Sequence, residues 1–145
     1  MKWILLALVL VAAVVAVIAA IGATLPRNHV ATRSLALRRP AEEVWPVVMQ
    51  ATAASGVPVD VVESDPPRRH VTRVKDTEKM FGGTWTITIA PSPTGSTVTI
   101  TEDGWVGNPI FRFVSRYVMG HHATMDGMLK EVAKKLGQQP ELSGT

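Results

Sequence analysis

From Trp3 to Leu25 the chain carries no charge, and this run limits what it can be more than any other feature. The residues are almost all Leu, Val, Ile and Ala, and the run stops at Leu25-Pro26-Arg27. As a helix it reaches about 34 Å at ~1.5 Å per residue, against a bilayer hydrocarbon core of about 30 Å. A helix also satisfies its own backbone groups where there is no water. Trp3 stands where an interfacial aromatic belongs. These features predict a single-pass membrane anchor over residues 1–25. A cleaved signal peptide is the rival, with Lys2 as its charged end and Ile21-Gly22-Ala23 ending in small residues. The apolar region of a signal peptide, about 7–15 residues, is shorter than this run. Lys2 lies on one side, and Arg27, Arg33, Arg38 and Arg39 follow on the other. That count favours a cytoplasmic domain.

Roughly 120 residues remain, enough for one domain with one core and too few for two. Net charge is +3 and no run of five like charges occurs, so the chain has no nucleic-acid footprint. Cysteine is absent, which excludes disulfides, thiol nucleophiles and cysteine metal sites.

His29 to Leu37 reads as a strand, with Ala31, Leu35 and Leu37 on one parity. Pro40 then starts a helix from Ala41 to about Ala54, with Glu42 and Glu43 at its positive end. Pro46 should kink that helix or leave a carbonyl unpaired, and Gly56 closes it. Val57 to Glu63 and His70 to Lys75 read as strands joined at Asp65-Pro66-Pro67-Arg68. In the next pair, Thr84, Thr86 and Thr88 alternate with Trp85, Ile87 and Ile89, and Thr97, Thr99 and Thr101 with Val98 and Ile100. With Pro91-Ser92-Pro93-Thr94-Gly95 between them, these predict an antiparallel hairpin with one buried and one wet face.

A long helix is predicted near Asn108 to Leu136, capped by Asn108 with Pro109 first. At about 100° per residue, Ile110, Phe111, Val114, Val118, Met125, Met128, Leu129, Val132 and Leu136 share a stripe. Gly120 allows a break or kink. The fold class is therefore α+β: an antiparallel sheet whose apolar face is covered by the long helix. The domain spans 26–137. Residues 138–145 have no apolar pattern and are expected to be a flexible tail.

Two stretches carry a family resemblance. One runs from His29-Val30-Ala31-Thr32-Arg33-Ser34 to Pro40-Ala41-Glu42-Glu43-Val44-Trp45. The other runs from Gly83-Thr84-Trp85-Thr86-Ile87 through Thr99-Ile100-Thr101-Glu102 and Asn108-Pro109-Ile110-Phe111-Arg112-Phe113 to Tyr117-Val118-Met119-Gly120-His121. In order and spacing they resemble the SRPBCC superfamily, the helix-grip or START-like fold that includes polyketide cyclase-like and lipid-transfer proteins, in its membrane-tethered form. The chain departs from that pattern between about Gln50 and Lys79, where it is shorter and lacks an aspartate-and-tryptophan segment. The resemblance implies an apolar cavity between sheet and long helix for a lipid-like or polyketide-like molecule. On that reading Trp85, Ile87, Val98, Ile100 and Trp105 line it from the sheet. Phe111, Val114, Tyr117, Val118, His121 and Met125 line it from the helix.

Two residues could carry chemistry. His121 falls on the apolar stripe and could bond a ligand or act as a base, although a core histidine with a satisfied ring is commoner. Glu102 shares parity with Val98 and Ile100 and should point inward, where it would pair with His121 or an arginine; the alternative is a wet strand end. Adjacent His121 and His122 point about 100° apart and lack a third ligand, so no metal is expected. Trp45, Trp85 and Trp105 are core residues first and cavity walls second. Arg112 and Arg116 lie on the polar side, as a solvated face or a contact for anionic headgroups. No nucleophile elbow, phosphate loop, HExxH helix or dinucleotide fingerprint occurs, and no cofactor is expected.

The first expectation is a non-catalytic, membrane-anchored module for a hydrophobic small molecule, with the bilayer and that ligand as partners. The alternatives are a cyclase- or dehydratase-type enzyme using His121 and Glu102, and a tethered interaction domain without a cavity.

Overall fold

A computed structural model describes residues 1–75 and 80–145. The last four residues of the shortened middle, 76–79, lie outside the described residues. The apolar run is a single helix, α1 (Lys2–Thr24), with a mean hydropathy of 3.4 over its most apolar 18 residues. It is the one helix among the described residues long and apolar enough to cross a membrane.

Strand β1 (Asn28–Leu37) and helix α2 (Ala41–Ala53) follow. Glu42 and Glu43 occupy the first turn of α2, where its dipole favours acids. Pro46 lies inside α2 and offers no N–H to the carbonyl of Glu42. Both residues are exposed, so water can take that carbonyl and the helix continues.

Strands β2 (Val59–Asp65), β3 (Arg69–Val74), β4 (Phe81–Ser92) and β5 (Gly95–Val106) build the sheet. With β6 (Leu142–Ser143), its order is β2-β3-β4-β5-β1-β6, antiparallel throughout. The predicted hairpin is β4–β5, longer at both ends, with Trp85 opposite Glu102, Ile87 opposite Ile100 and Ile89 opposite Val98. The hydroxyl face pairs across strands, with Ser34 Oγ 2.9 Å from Thr99 Oγ1 and Thr32 Oγ1 3.3 Å from Thr101 Oγ1.

The C-terminal half departs from a single helix. Asn108 caps α3 (Pro109–Val114) as predicted, its Oδ1 accepting from the amides of Ile110 and Phe111. A π-helix follows over Ser115–Met119, and the chain then breaks at Gly120. There φ is +74°, a conformation that glycine takes without penalty and that ends a right-handed helix. Of this half, α4 (Ala123–Lys135) covers the sheet beside α2, burying Met125, Met128, Leu129 and Val132 against Leu35, Ile87 and Ile100. Arg33 on β1 fastens α4 with a bidentate pair to Asp126, at 2.6 and 3.1 Å. The first half of the apolar stripe faces outward instead: Ile110, Phe111 and Val118 are exposed.

Two further expectations are corrected. Arg112 is neither solvated nor free. Its Nη1 donates to the carbonyls of Gly22 (3.3 Å) and Leu25 (3.1 Å), and its Nη2 to that of Gly107 (2.9 Å). Gly22 is buried at the same point, and a Cβ there would overlap the backbone of Pro109. The last turn of α1 therefore packs directly on α3. The tail, read as flexible, is an edge of the sheet. Leu142 and Ser143 form β6 against Leu35 and Ser34, and the amide of Thr32 bonds the carbonyl of Thr145. Gln138 anchors the approach by bonding the carbonyl of Ala36 and the amide of Arg38. Backbone pairing and one amide side chain hold a segment that has no apolar pattern.

Candidate ligand cleft

The sheet–α4 interface is solid in its middle. Ile87, Val98, Ile100 and Met125 are fully buried and line neither lobe of the open space described below. The space lies instead where α4 starts late, beyond the break at Gly120. It is a cleft of two lobes. One, of about 290 Å³, lies against the end of α2, with Thr52, Val59, Val74 and Trp85 among its walls. The other, of about 360 Å³, lies against α3 and the π-helix, with His29, Trp105, Phe111, Met119 and His121 among its walls. Phe81, Gly82, Glu102 and Thr124 border both.

Sheet register builds the polar centre of this cleft. On β5, Glu102 stands opposite Trp85 of β4 and two residues diagonal to His29 of β1, which pairs with Gly104. All three residues lie on the helix-facing side. The Trp85 indole donates to Glu102 Oε2 at 2.6 Å, and His29 Nε2 lies 2.8 Å from Glu102 Oε1. A Cβ at Gly104 would stand 2.8 Å from the His29 ring, so the bare backbone there makes room for the imidazole. The carboxylate is thus fixed by a donor on each side, and each oxygen keeps a further lone pair for a ligand.

His121 stacks on His29, with ring centroids 4.2 Å apart and planes 18° from parallel. Burial holds the His121 imidazole below its ordinary titration range. Neighbouring His29 and Arg116 push the same way, and Glu102 opposes them. Burial thus favours the neutral His121 ring, which can donate from one nitrogen and accept at the other.

Of the residues predicted to line a cavity, the structure brings Trp85, Trp105, Phe111 and His121 to the cleft, with Glu102 at its waist. Val114, Tyr117 and Val118 line neither lobe: Val114 is half-buried, Tyr117 packs on Phe113 at 5.0 Å, and Val118 is exposed. Glu102 is half-buried rather than wet, and its partners are His29 and Trp85 rather than His121 or an arginine. His29 was missed, although its parity with Ala31, Leu35 and Leu37 places it on the inner face. Among the described residues no cluster of three His, Asp or Glu side chains could hold a metal.

A six-stranded antiparallel sheet with a C-terminal helix laid on one face, open at one end, is an α+β helix-grip architecture. A conserved protein from Geobacillus kaustophilus shares the fold with a TM-score of 0.62, at 15% identity over 79% of this chain and 99% of that one. A protein from Mesorhizobium loti shares it at 0.56, with 13% identity over 77% and 97%. A solution structure described as polyketide-cyclase-like, from Corynebacterium glutamicum, matches at 0.44 with 13% identity over 78% and 86%, too distant to add an argument of its own. No family model and no curated protein matches the chain.

Proposed function

We propose that this chain is a membrane-anchored module that holds a hydrophobic small molecule, lipid-like or polyketide-like, in the cleft beside Gly120. The supporting observation is the cleft itself. Its lobes fall near the lower end of the size range of small-molecule sites, and apolar and aromatic walls surround one oriented carboxylate. Such a site would seat an apolar body and read a single hydroxyl or amide donor at Glu102. The packing of Gly22 under Pro109 and the grip of Arg112 on two α1 carbonyls favour a retained anchor over a cleaved leader. Native mass spectrometry of the full chain extracted in mild detergent, followed by organic extraction, tests the reading. It predicts a co-purifying apolar adduct; protein that stays bare when offered a mixed lipid extract contradicts it.

One observation favours a second reading, a cyclase- or dehydratase-type enzyme. Glu102, hydrogen-bonded to His29, and His121, stacked on His29, form a contiguous set of titratable groups in the cleft wall, of the residue types general acid–base chemistry uses. Any turnover found should then fall by about 10²–10⁴-fold in Glu102→Gln while ligand binding persists. An unchanged rate would remove this reading.

A further inference from the structure

The last turn of α1 and the start of α3 are one packed unit, through Gly22 against Pro109 and through Arg112. Gly22 lies inside the apolar run, three residues before it ends, or about 4–5 Å at ~1.5 Å per residue. On the reading that α1 spans a bilayer, α3 must therefore begin at the level of the lipid headgroups rather than in bulk water. From that point the chain presents Ile110, Phe111, Val118 and Met119 outward, with Val118 71% and Met119 62% exposed. Arg27 and Arg116 are exposed beside them. Phe111 and Met119 also wall the second lobe of the cleft.

We infer that α3 and the π-helix lie in the plane of the membrane surface, with this apolar stripe at the headgroup–acyl boundary, so that the cleft opens onto the bilayer and takes its ligand from it laterally. The stripe repeats at helical spacing and is flanked by arginines, as for segments that rest in an interface rich in anionic lipid. Its occupant is the bilayer that α1 enters, because the joint at Gly22 holds the stripe beside the end of the membrane-spanning run. This inference rests on the anchor reading and adds a second, in-plane contact to it.

The absence of native cysteine makes a direct test available. Three full-length variants, Ala13→Cys in α1, Val118→Cys, and Val61→Cys on exposed β2, each carry one environment-sensitive fluorophore. They are placed in phosphatidylcholine–phosphatidylglycerol vesicles containing lipid with a nitroxide either near the headgroup or at mid-bilayer. The expected result is quenching at Val118 by the shallow nitroxide, several-fold stronger than at Val61, with Ala13 quenched by the deep one. Quenching at Ala13 with a Val118 probe as water-exposed as Val61 overturns the inference and leaves the anchor standing. A Val118 probe shielded from water but untouched by either nitroxide also overturns it, because a protein surface then covers the stripe. An unquenched Ala13 probe removes the anchor and the inference together.

Discussion

Arg112 reaches back across ninety residues of sequence to donate to the carbonyl of Gly22, 3.3 Å away. With the bond to Leu25, it caps the C-terminal end of α1, adding a second donor to the Gly22 carbonyl that the Leu25 amide already meets. A guanidinium suits that end of the helix dipole. The contact turns what would be a flexible tether into a rigid joint between apolar helix and folded domain.

Replacing Arg112 by Ala should therefore destabilise the domain by about 2 kcal/mol, the scale of losing hydrogen bonds from a charged donor. Urea unfolding of the detergent-solubilised chain, followed by tryptophan fluorescence, measures it. Lysine should not restore the loss, because a point charge does not reproduce the planar fork that spans three carbonyls. An unfolding curve that overlays the parent's would show the joint to be energetically idle.

Glu102 supports the cleft through two donors from two different strands. Glu102→Ala should cost about 1–3 kcal/mol by leaving the Trp85 N–H and the His29 ring without their acceptor. Glu102→Gln keeps a carbonyl for Trp85 and should cost less than half as much. Equal losses in both variants would show that negative charge, rather than hydrogen bonding, is what the site uses.

Two imidazoles resist protonation in the fold. Burial lowers the titration of His70, and burial aided by His29 and Arg116 lowers that of His121. The unfolded chain then binds these protons more readily than the native state does. Stability should therefore be full above the ordinary histidine value of about 6.5 and decline as pH falls toward the depressed native values. His121→Phe should flatten part of that slope and His70→Phe another part, read as unfolding midpoints across mildly acidic pH. Because Glu102 raises the His121 titration, Glu102→Gln should push it lower still, as followed by the ring resonances in NMR. A rise in either resonance midpoint above the unfolded value would reverse the sign.

Asp126 titrates in a different window. Its bond to the Arg33 guanidinium holds its carboxyl below the usual carboxylate range. The pair should contribute stability above the unfolded aspartate value and lose it as pH falls through the depressed one. Asp126→Asn should cost about 1.5–3 kcal/mol at neutral pH, the scale of a hydrogen bond to a charged group. Its unfolding curve should merge with the parent's on strong acidification. A gap that stays constant with pH would exclude the ion pair as its source.

The sequence announced local structure well and long-range structure poorly. Threonine alternation located β4–β5 because period-2 burial is written directly into side chains, and Asn108-Pro109 marked the start of α3 to the residue. The helical stripe from Ile110 to Leu136 misled, because a 3.6-residue period marks an apolar face without saying whether protein or lipid covers it. Gly120 was the one local sign that the stripe divides into an exposed half and a buried half. Trp85 faces Glu102 across the predicted hairpin, but His29 was out of reach: β1 lies beside β5 only through a pairing that closes some seventy residues. Arg112 looked solvated for the same reason, since two of its three acceptors, Gly22 and Leu25, lie at the far end of the chain. The tail is held mostly by backbone pairing, which leaves no mark on residue type.

Thr124 is exposed at the start of α4 and borders both lobes, so Thr124→Trp would fill the waist of the cleft without touching the core. Native mass spectrometry of the two full-length proteins, purified alike, compares their ligand loads. The account predicts an apolar adduct on the parent chain and at least a tenfold lower occupancy on Thr124→Trp at an unchanged unfolding midpoint. A parent chain that stays bare, or a variant that carries the adduct equally, would contradict a ligand held between the sheet and the break at Gly120.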